Sequence, residues 1–259
     1  LDGAMDGWRA FLIPDVSRVL EPALMLDAMG QAFFSMSLGV GTMLVYGSYI
    51  QKHENLPKLG TSVALVDIGV AVLAGMLIIP AMYVALANGV EIYDANGALI
   101  SGPSLIFQVL PSLFESMGYI GTFVASAFFA LMVIAALTSS ISMLEVPVAF
   151  LVDNKKVARP KATILLTSLV FVISATIVLN FDLLFGAVIT LTTEYSQPLL
   201  GLVLCIFAGW VWKRNQILEE LKQGCDDIES GLFWKIWPWY VKFVCPVVIA
   251  AMFYYRSVA

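Results

Sequence analysis

Charge is what this sequence has least of. Only 13% of its 259 residues are Asp, Glu, Lys or Arg, against about 25% in a typical soluble domain, while 60% are hydrophobic. So little polar surface cannot cover a chain of this size in water. A soluble enzyme, a disordered scaffold and a nucleic-acid binder are all excluded on that ground, and nucleic acid drops out as a partner. The net charge of −5 adds little, because the charges fall between the apolar runs. Cysteine is scarce as well. Cys205, Cys225 and Cys245 have no metal-ligand spacing, and an odd count argues against a disulfide framework. An initiator Met, a signal peptide and a basic n-region are all missing. Leu1 opens inside what reads as an external loop, so the expectation is the C-terminal part of a longer protein whose N-terminal half is absent.

What is present is long apolar runs. A membrane helix needs about 20 mostly apolar residues, and six runs qualify: 25–49, 61–86, 120–152, 162–179, 183–212 and a shorter one at 241–255 that Trp237 and Trp239 extend to about 236. The third and fifth exceed the bilayer thickness, which predicts tilt or protrusion. The runs are continuous rather than alternating with period two, so helices are expected and a β-barrel is not. The fold class is therefore an all-α integral membrane protein.

Lys and Arg set the topology. Lys52 and Lys58 follow the first span; Lys155, Lys156, Arg159 and Lys161 follow the third; Lys213, Arg214, Lys222 and Lys235 follow the fifth. The intervening loop 87–119 has no Lys or Arg, nor does the link 180–182. The basic loops, including 213–235, are expected in the cytoplasm, with 87–119 outside and the chain ending outside near Arg256. Trp210, Trp212, Trp234, Trp237 and Trp239 flank the third basic loop as an interfacial aromatic belt. Residues 216–223 read as a short amphipathic helix, and 104–117 as a re-entrant or surface helix.

The few polar groups inside the spans carry the function. The first span contains Ser35-Met36-Ser37-Leu38-Gly39-Val40-Gly41 near its middle. Small residues there serve either helix–helix packing or an unwound segment whose carbonyls coordinate a cation or zwitterion at mid-membrane. Asp67 in the second span is an intramembrane acid, whose default reading is functional; snorkelling from near the span's end is the alternative. In the third span, Ala135-Ala136-Leu137-Thr138-Ser139-Ser140 offers hydroxyls that either bond their own helix or supply the oxygens a hard cation needs. Glu145 and Glu194 are polar-pathway candidates with no identifiable partner in the sequence.

These residues carry a resemblance. The run from Gly30 to Gly41 resembles the sixth helix of neurotransmitter:sodium symporters. Residues 1–7 with Pro14-Asp15 resemble the external loop before it, Gly102-Pro103 through Leu110-Pro111 the external lid loop, and Ala135–Ser140 the sodium-binding stretch of the eighth helix. The motifs run in order from Leu1 to Ala259. The resemblance implies the LeuT-like inverted-repeat fold, represented here by its second repeat plus one further helix, with the first helix broken. It implies a first sodium site with Ser35 and Asp67, and a second with the Ala135 carbonyl and the Thr138 and Ser139 hydroxyls. Phe34, Ser35, Ser37, Val40, Ser139 and Met143 would line the substrate pocket. Tyr49 and Asp153 match the inner gate and Asp182 the outer, while Gln31 and Ala71 fall at the anion-equivalent position.

Two departures bear on specificity. Val40 stands where some relatives have a larger residue, often Phe, which leaves room for a bulky hydrophobic or aromatic amino acid. Ala71 stands where chloride-dependent relatives have Ser and some chloride-independent ones Glu. Asp67 lies one turn before it on the same face and can replace the anion's charge, so chloride is expected not to be required. The reading is sodium-coupled amino-acid symport by alternating access, not enzymatic, in the plasma membrane and specifically a bacterial inner membrane. The bilayer and the missing half are its partners, and a homodimer is compatible. Each net positive charge entering adds about 2.3 kcal/mol of drive per 100 mV. The rivals are a non-transporting receptor or assembly subunit on the same scaffold, and a proton-coupled transporter using Asp67 and Glu145.

Overall fold

The computed structural model describes residues 2–13, 16–19, 21–93, 97, 99–100 and 102–258, without the side chains of residues 18, 182 and 256–258. Among them the regular structure is helical, apart from one β-bridge between Tyr93 and Leu99. The expected site residue Asp182 contributes only its backbone, and Pro14-Asp15 of the external-loop motif lies outside the described residues.

Five helical segments are long and apolar enough to cross a membrane: Leu56–Ala87, Gly118–Lys155, Arg159–Leu179, Leu183–Val211 and Leu232–Tyr255. The first span expected from sequence is instead two shorter helices, α2 (Pro22–Ser35) and α3 (Thr42–Tyr49). The last begins earlier than hydropathy indicated. Pro238 lies inside α12 (Leu232–Trp239), and the wide π-type turns of Tyr240–Val244 follow it before α13 (Cys245–Val258). The helical run is continuous through the proline and the π-turns, so it begins about one turn earlier than the expected 236. Similar π-turns at Thr190–Ser196 and Phe207–Val211 flank α10 (Gln197–Ile206), which follows α9 (Phe181–Ile189).

The chain divides into two compact units. The first joins Leu1–Val19 to Leu65–Ser139. In it α1 (Ala4–Leu12) lies on the later half of α4 (Leu56–Ala87). Gly7 permits this: a Cβ there would lie 2.5 Å from the Pro80 Cα, so the two backbones touch. The described residues of the expected lid loop include a packed helical cap, in line with the helix expected at 104–117. The turn α5 (Gly102–Ser104), the π-turns of Leu105–Val109 and α6 (Leu110–Ser116) close over a core of Met82, Ile92, Val109, Leu110 and Phe114. Phe114 meets Phe128 and Phe129 on α7 (Gly118–Lys155) at ring distances of 5.7 and 6.3 Å.

The second unit joins Leu20–Ala64 to Ser140–Ala259. Here α10 packs against α13 and α2, with the Phe33 ring over Gly201. The helix expected at 216–223 is α11 (Arg214–Lys222), and α8 (Arg159–Leu179) follows α7.

Candidate sodium and substrate site

The break between α2 and α3 is built by local hydrogen bonding. The Ser37 N–H donates to the Phe34 carbonyl at 3.1 Å and the Leu38 N–H reaches back to the Phe33 carbonyl at 2.9 Å. This pair of bonds is the Schellman closure of a helix. Ser37 occupies the left-handed position of that motif with φ of 51°, a place glycine usually fills. Gly39 and Gly41 follow at φ of 78° and 85°, and α3 restarts as Leu44 and Val45 donate to the Gly41 carbonyl at 3.1 Å. The carbonyls between the two helices have left the helical ladder. At membrane depth such backbone is tolerated only where protein covers it or it lines a cavity.

Gly39 is held from the other side. It is buried, and a Cβ there would sit inside the van der Waals distance of the Gln197 carbonyl oxygen on α10. Gln197 is 4% exposed, and its Oε1 and the Thr42 Oγ1 are buried with no hydrogen-bond partner among the described residues. A cavity of about 520 Å3 opens beside the break, lined by Phe33, Ser37, Leu38, Gly39, Cys205 and Cys245 among others. Of the expected substrate residues in this unit only Ser37 lines it; Phe34, Ser35, Val40 and Met143 do not. Phe34 is half-exposed on α2, as are Gln31 and Ser35 at its surface.

The second group of expected ligands belongs to the first unit. Thr138 donates to the Ala135 carbonyl at 2.9 Å within an unbroken α7, so two of the three oxygens assigned to the second sodium site already adjoin one another. Ser139 is exposed on the same helix. Asp67 is half-buried on α4 and engaged in an interaction of its own; Ala71 is exposed one turn later.

A third polar group went unrecognised as a unit. The Tyr49 hydroxyl donates to Glu145 Oε1 at 2.5 Å, and Arg159 Nη2 donates to both Glu145 oxygens at 2.6 and 2.7 Å. One turn away the Tyr46 hydroxyl donates to Ser142 Oγ at 2.5 Å. Tyr46 and Tyr49 on α3 thus meet Ser142 and Glu145 on α7 at matching spacings of three residues. In sequence, Glu145 stood out as an acid in a span, while Arg159 signalled only topology; nothing paired them. Asp153 lies exposed near the end of α7, outside this cluster. Glu194 is half-buried in the π-turns before α10 and has an interaction of its own.

This arrangement has known counterparts. The sequence model of the Sodium:neurotransmitter symporter family matches residues 1–259. The chain belongs to that family. An uncharacterized sodium-dependent transporter of Haemophilus influenzae is 35% identical over 98% of this chain and 54% of its own length. A sodium-dependent nutrient amino acid transporter of Drosophila virilis is 25% identical over the whole of this chain and 40% of its own. The crystal structure of MhsT in complex with L-phenylalanine superposes with a TM-score of 0.81 at 33% identity, covering 97% of this chain and 56% of that one. The chain thus spans about half the length of the relatives it matches. As a member of this symporter family it has the LeuT-like fold and is a multi-pass membrane protein. The family is one of transporters, not enzymes.

Proposed function

We propose that this chain supplies the second half of a sodium-coupled symporter for a hydrophobic or aromatic amino acid. The observation that carries the reading is the break at residues 36–41, where backbone carbonyls leave the helical ladder beside a cavity. Carbonyls and the hydroxyls of Ser35, Thr138 and Ser139 are the hard oxygen donors that sodium takes, with Asp67 adding a charge to the first site. Phe34, Val40 and Met143 suit an apolar side chain. Phenylalanine is the ligand bound to MhsT, which supports an aromatic substrate here. Sodium is cargo: it binds with the amino acid, and both are released when the bundle turns inward. Ala71 offers neither hydroxyl nor charge to an anion, so Asp67 makes chloride unnecessary. The Glu145–Arg159 ion pair weighs against the proton-coupled alternative, because a carboxylate bridged on both oxygens by a guanidinium is built to hold helices rather than to carry protons.

The test is uptake of labelled phenylalanine by the full-length transporter in proteoliposomes. An inward sodium gradient is expected to drive accumulation, with the same rate in gluconate as in chloride. Strong chloride dependence overturns the role given to Asp67. Uptake indifferent to sodium but driven by a proton gradient overturns the coupling itself.

A further inference from the structure

A second cavity, of about 450 Å3, lies where two spanning segments end, between Phe207–Val211 and Leu232–Trp239. Its lining includes Lys213, Arg214 and Lys242 and no acid. Among the described residues none of these three cations has a carboxylate partner, although Lys222 and Arg159 elsewhere in the same unit do. Instead Lys242 and Arg214 lie over aromatic rings. Lys242 Nζ is 4.4 Å from the centre of the Trp210 ring, and the Arg214 guanidinium is 5.2 Å from that of Trp234. A ring holds a cation in place without neutralising it, so the donor hydrogens remain available to an anion.

The cavity is a fixed feature of the packing. A Cβ on Gly209 would lie 2.9 Å from the Lys242 Cα, so the two segments touch through backbone, and the Trp210 indole N–H donates to the Lys242 carbonyl at 3.3 Å. Trp234 is buried at its base, whereas Trp210 and Trp239 at its rim are 60% and 68% exposed. Exposed tryptophans at the ends of spanning helices sit at the level of lipid headgroups, and a basic pocket at that depth takes an anionic one. Phe243 in the π-turns and Val247 on α13 continue an exposed apolar strip from the rim, suited to an acyl chain.

The geometry points to a binding site for the phosphodiester headgroup of an anionic phospholipid, held by Lys213, Arg214 and Lys242 on the face of the membrane where the basic loops lie. The site does not depend on which solute is transported.

The experiment places the full-length transporter in phosphatidylcholine vesicles holding a trace of photoreactive phosphatidylglycerol or photoreactive phosphatidylcholine, and maps the crosslinks by peptide mass spectrometry. Phosphatidylglycerol is expected to label residues 208–243 severalfold more than phosphatidylcholine. Lys213→Gln, Arg214→Gln and Lys242→Gln should each cut that preference about fivefold, the ratio expected for one cation at a membrane surface. Lys235→Gln, on α12 but outside the cavity, should leave it intact. Equal labelling by the two lipids, or a preference untouched by the exposed Lys213→Gln, overturns the site. Abolition of the preference by millimolar inorganic phosphate assigns the cavity to free phosphate and overturns the lipid. Should Lys242→Gln fail to fold, Lys213→Gln, at the exposed start of α11, still decides the question.

Discussion

The segment α2–α3 and the helix α7 face the same problem and solve it oppositely. Each contains residues hostile to a helix within a span: Ser37, Gly39 and Gly41 in one, Pro147 in the other. The first breaks, and the second runs through 38 residues without interruption. Proline removes one donor but keeps a helical φ, so inside a membrane the helix continues with one bond missing. Three left-handed positions at alternate residues cannot be absorbed in that way, because each turns the chain out of the helical path. A broken helix therefore presents backbone oxygen to its surroundings, whereas an unbroken one presents mainly side-chain oxygen, as at Thr138 and Ser139.

The severest way to break the contrast is Gly39→Ala. The new methyl would meet the Gln197 carbonyl and would impose a left-handed φ on a residue with a Cβ. A cost of about 3–5 kcal/mol is expected, in the range reserved for backbone strain and overpacking. In the full-length protein both the thermal midpoint in detergent and sodium-dependent substrate binding should collapse. A variant that melts within a few degrees of the wild type would mean that α10 can withdraw, and that the break is not held as described.

Tyr49 of α3 meets Glu145 of α7, and Arg159 of α8 holds the same carboxylate, so that cluster can be loosened from its α8 side. Arg159→Gln leaves Glu145 charged with its side chain only 15% exposed, while the lost Arg159 was itself 58% exposed. A fall of a few degrees in the thermal midpoint is expected, between the effects of breaking a surface and a buried pair. The double variant Arg159→Gln with Glu145→Gln should recover part of it, because the uncompensated charge is gone and Tyr49 can still donate to the amide. Thermal unfolding of the four proteins measures this. Strict additivity would show that the pair observed between α7 and α8 contributes nothing.

These features were unequally legible in the sequence. The spans follow from composition over windows of about 20 residues, which no tertiary contact can override in lipid. The break was legible too, because Gly39 and Gly41 with Ser37 between apolar neighbours is a local signal. Glu145 and Arg159 were not legible as a pair. They stand 14 residues apart, across the end of α7 and the start of α8, and Tyr49 joins them from a helix 96 residues away. Only tertiary packing supplies that. The start of the last span was partly legible: Trp237 and Trp239 extended it to about 236, past Pro238, but the π-turns that follow the proline have no sequence signature.

The mildest substitution, Pro147→Ala, tests whether α7 is truly the opposite of the broken segment. Pro147 donates no backbone hydrogen bond, so the carbonyl one turn earlier, at Met143, lacks its helical partner. Alanine restores that bond and should raise stability by about 1 kcal/mol or less, since the helix is already formed. If the missing bond is only an imperfection, phenylalanine uptake stays within about twofold of the wild type, in proportion to so small a change. If uptake falls while the thermal midpoint rises, the Met143 carbonyl is a working oxygen beside the expected substrate pocket. Helix α7 would then achieve with one proline, on a smaller scale, what the three left-handed residues achieve in the broken segment.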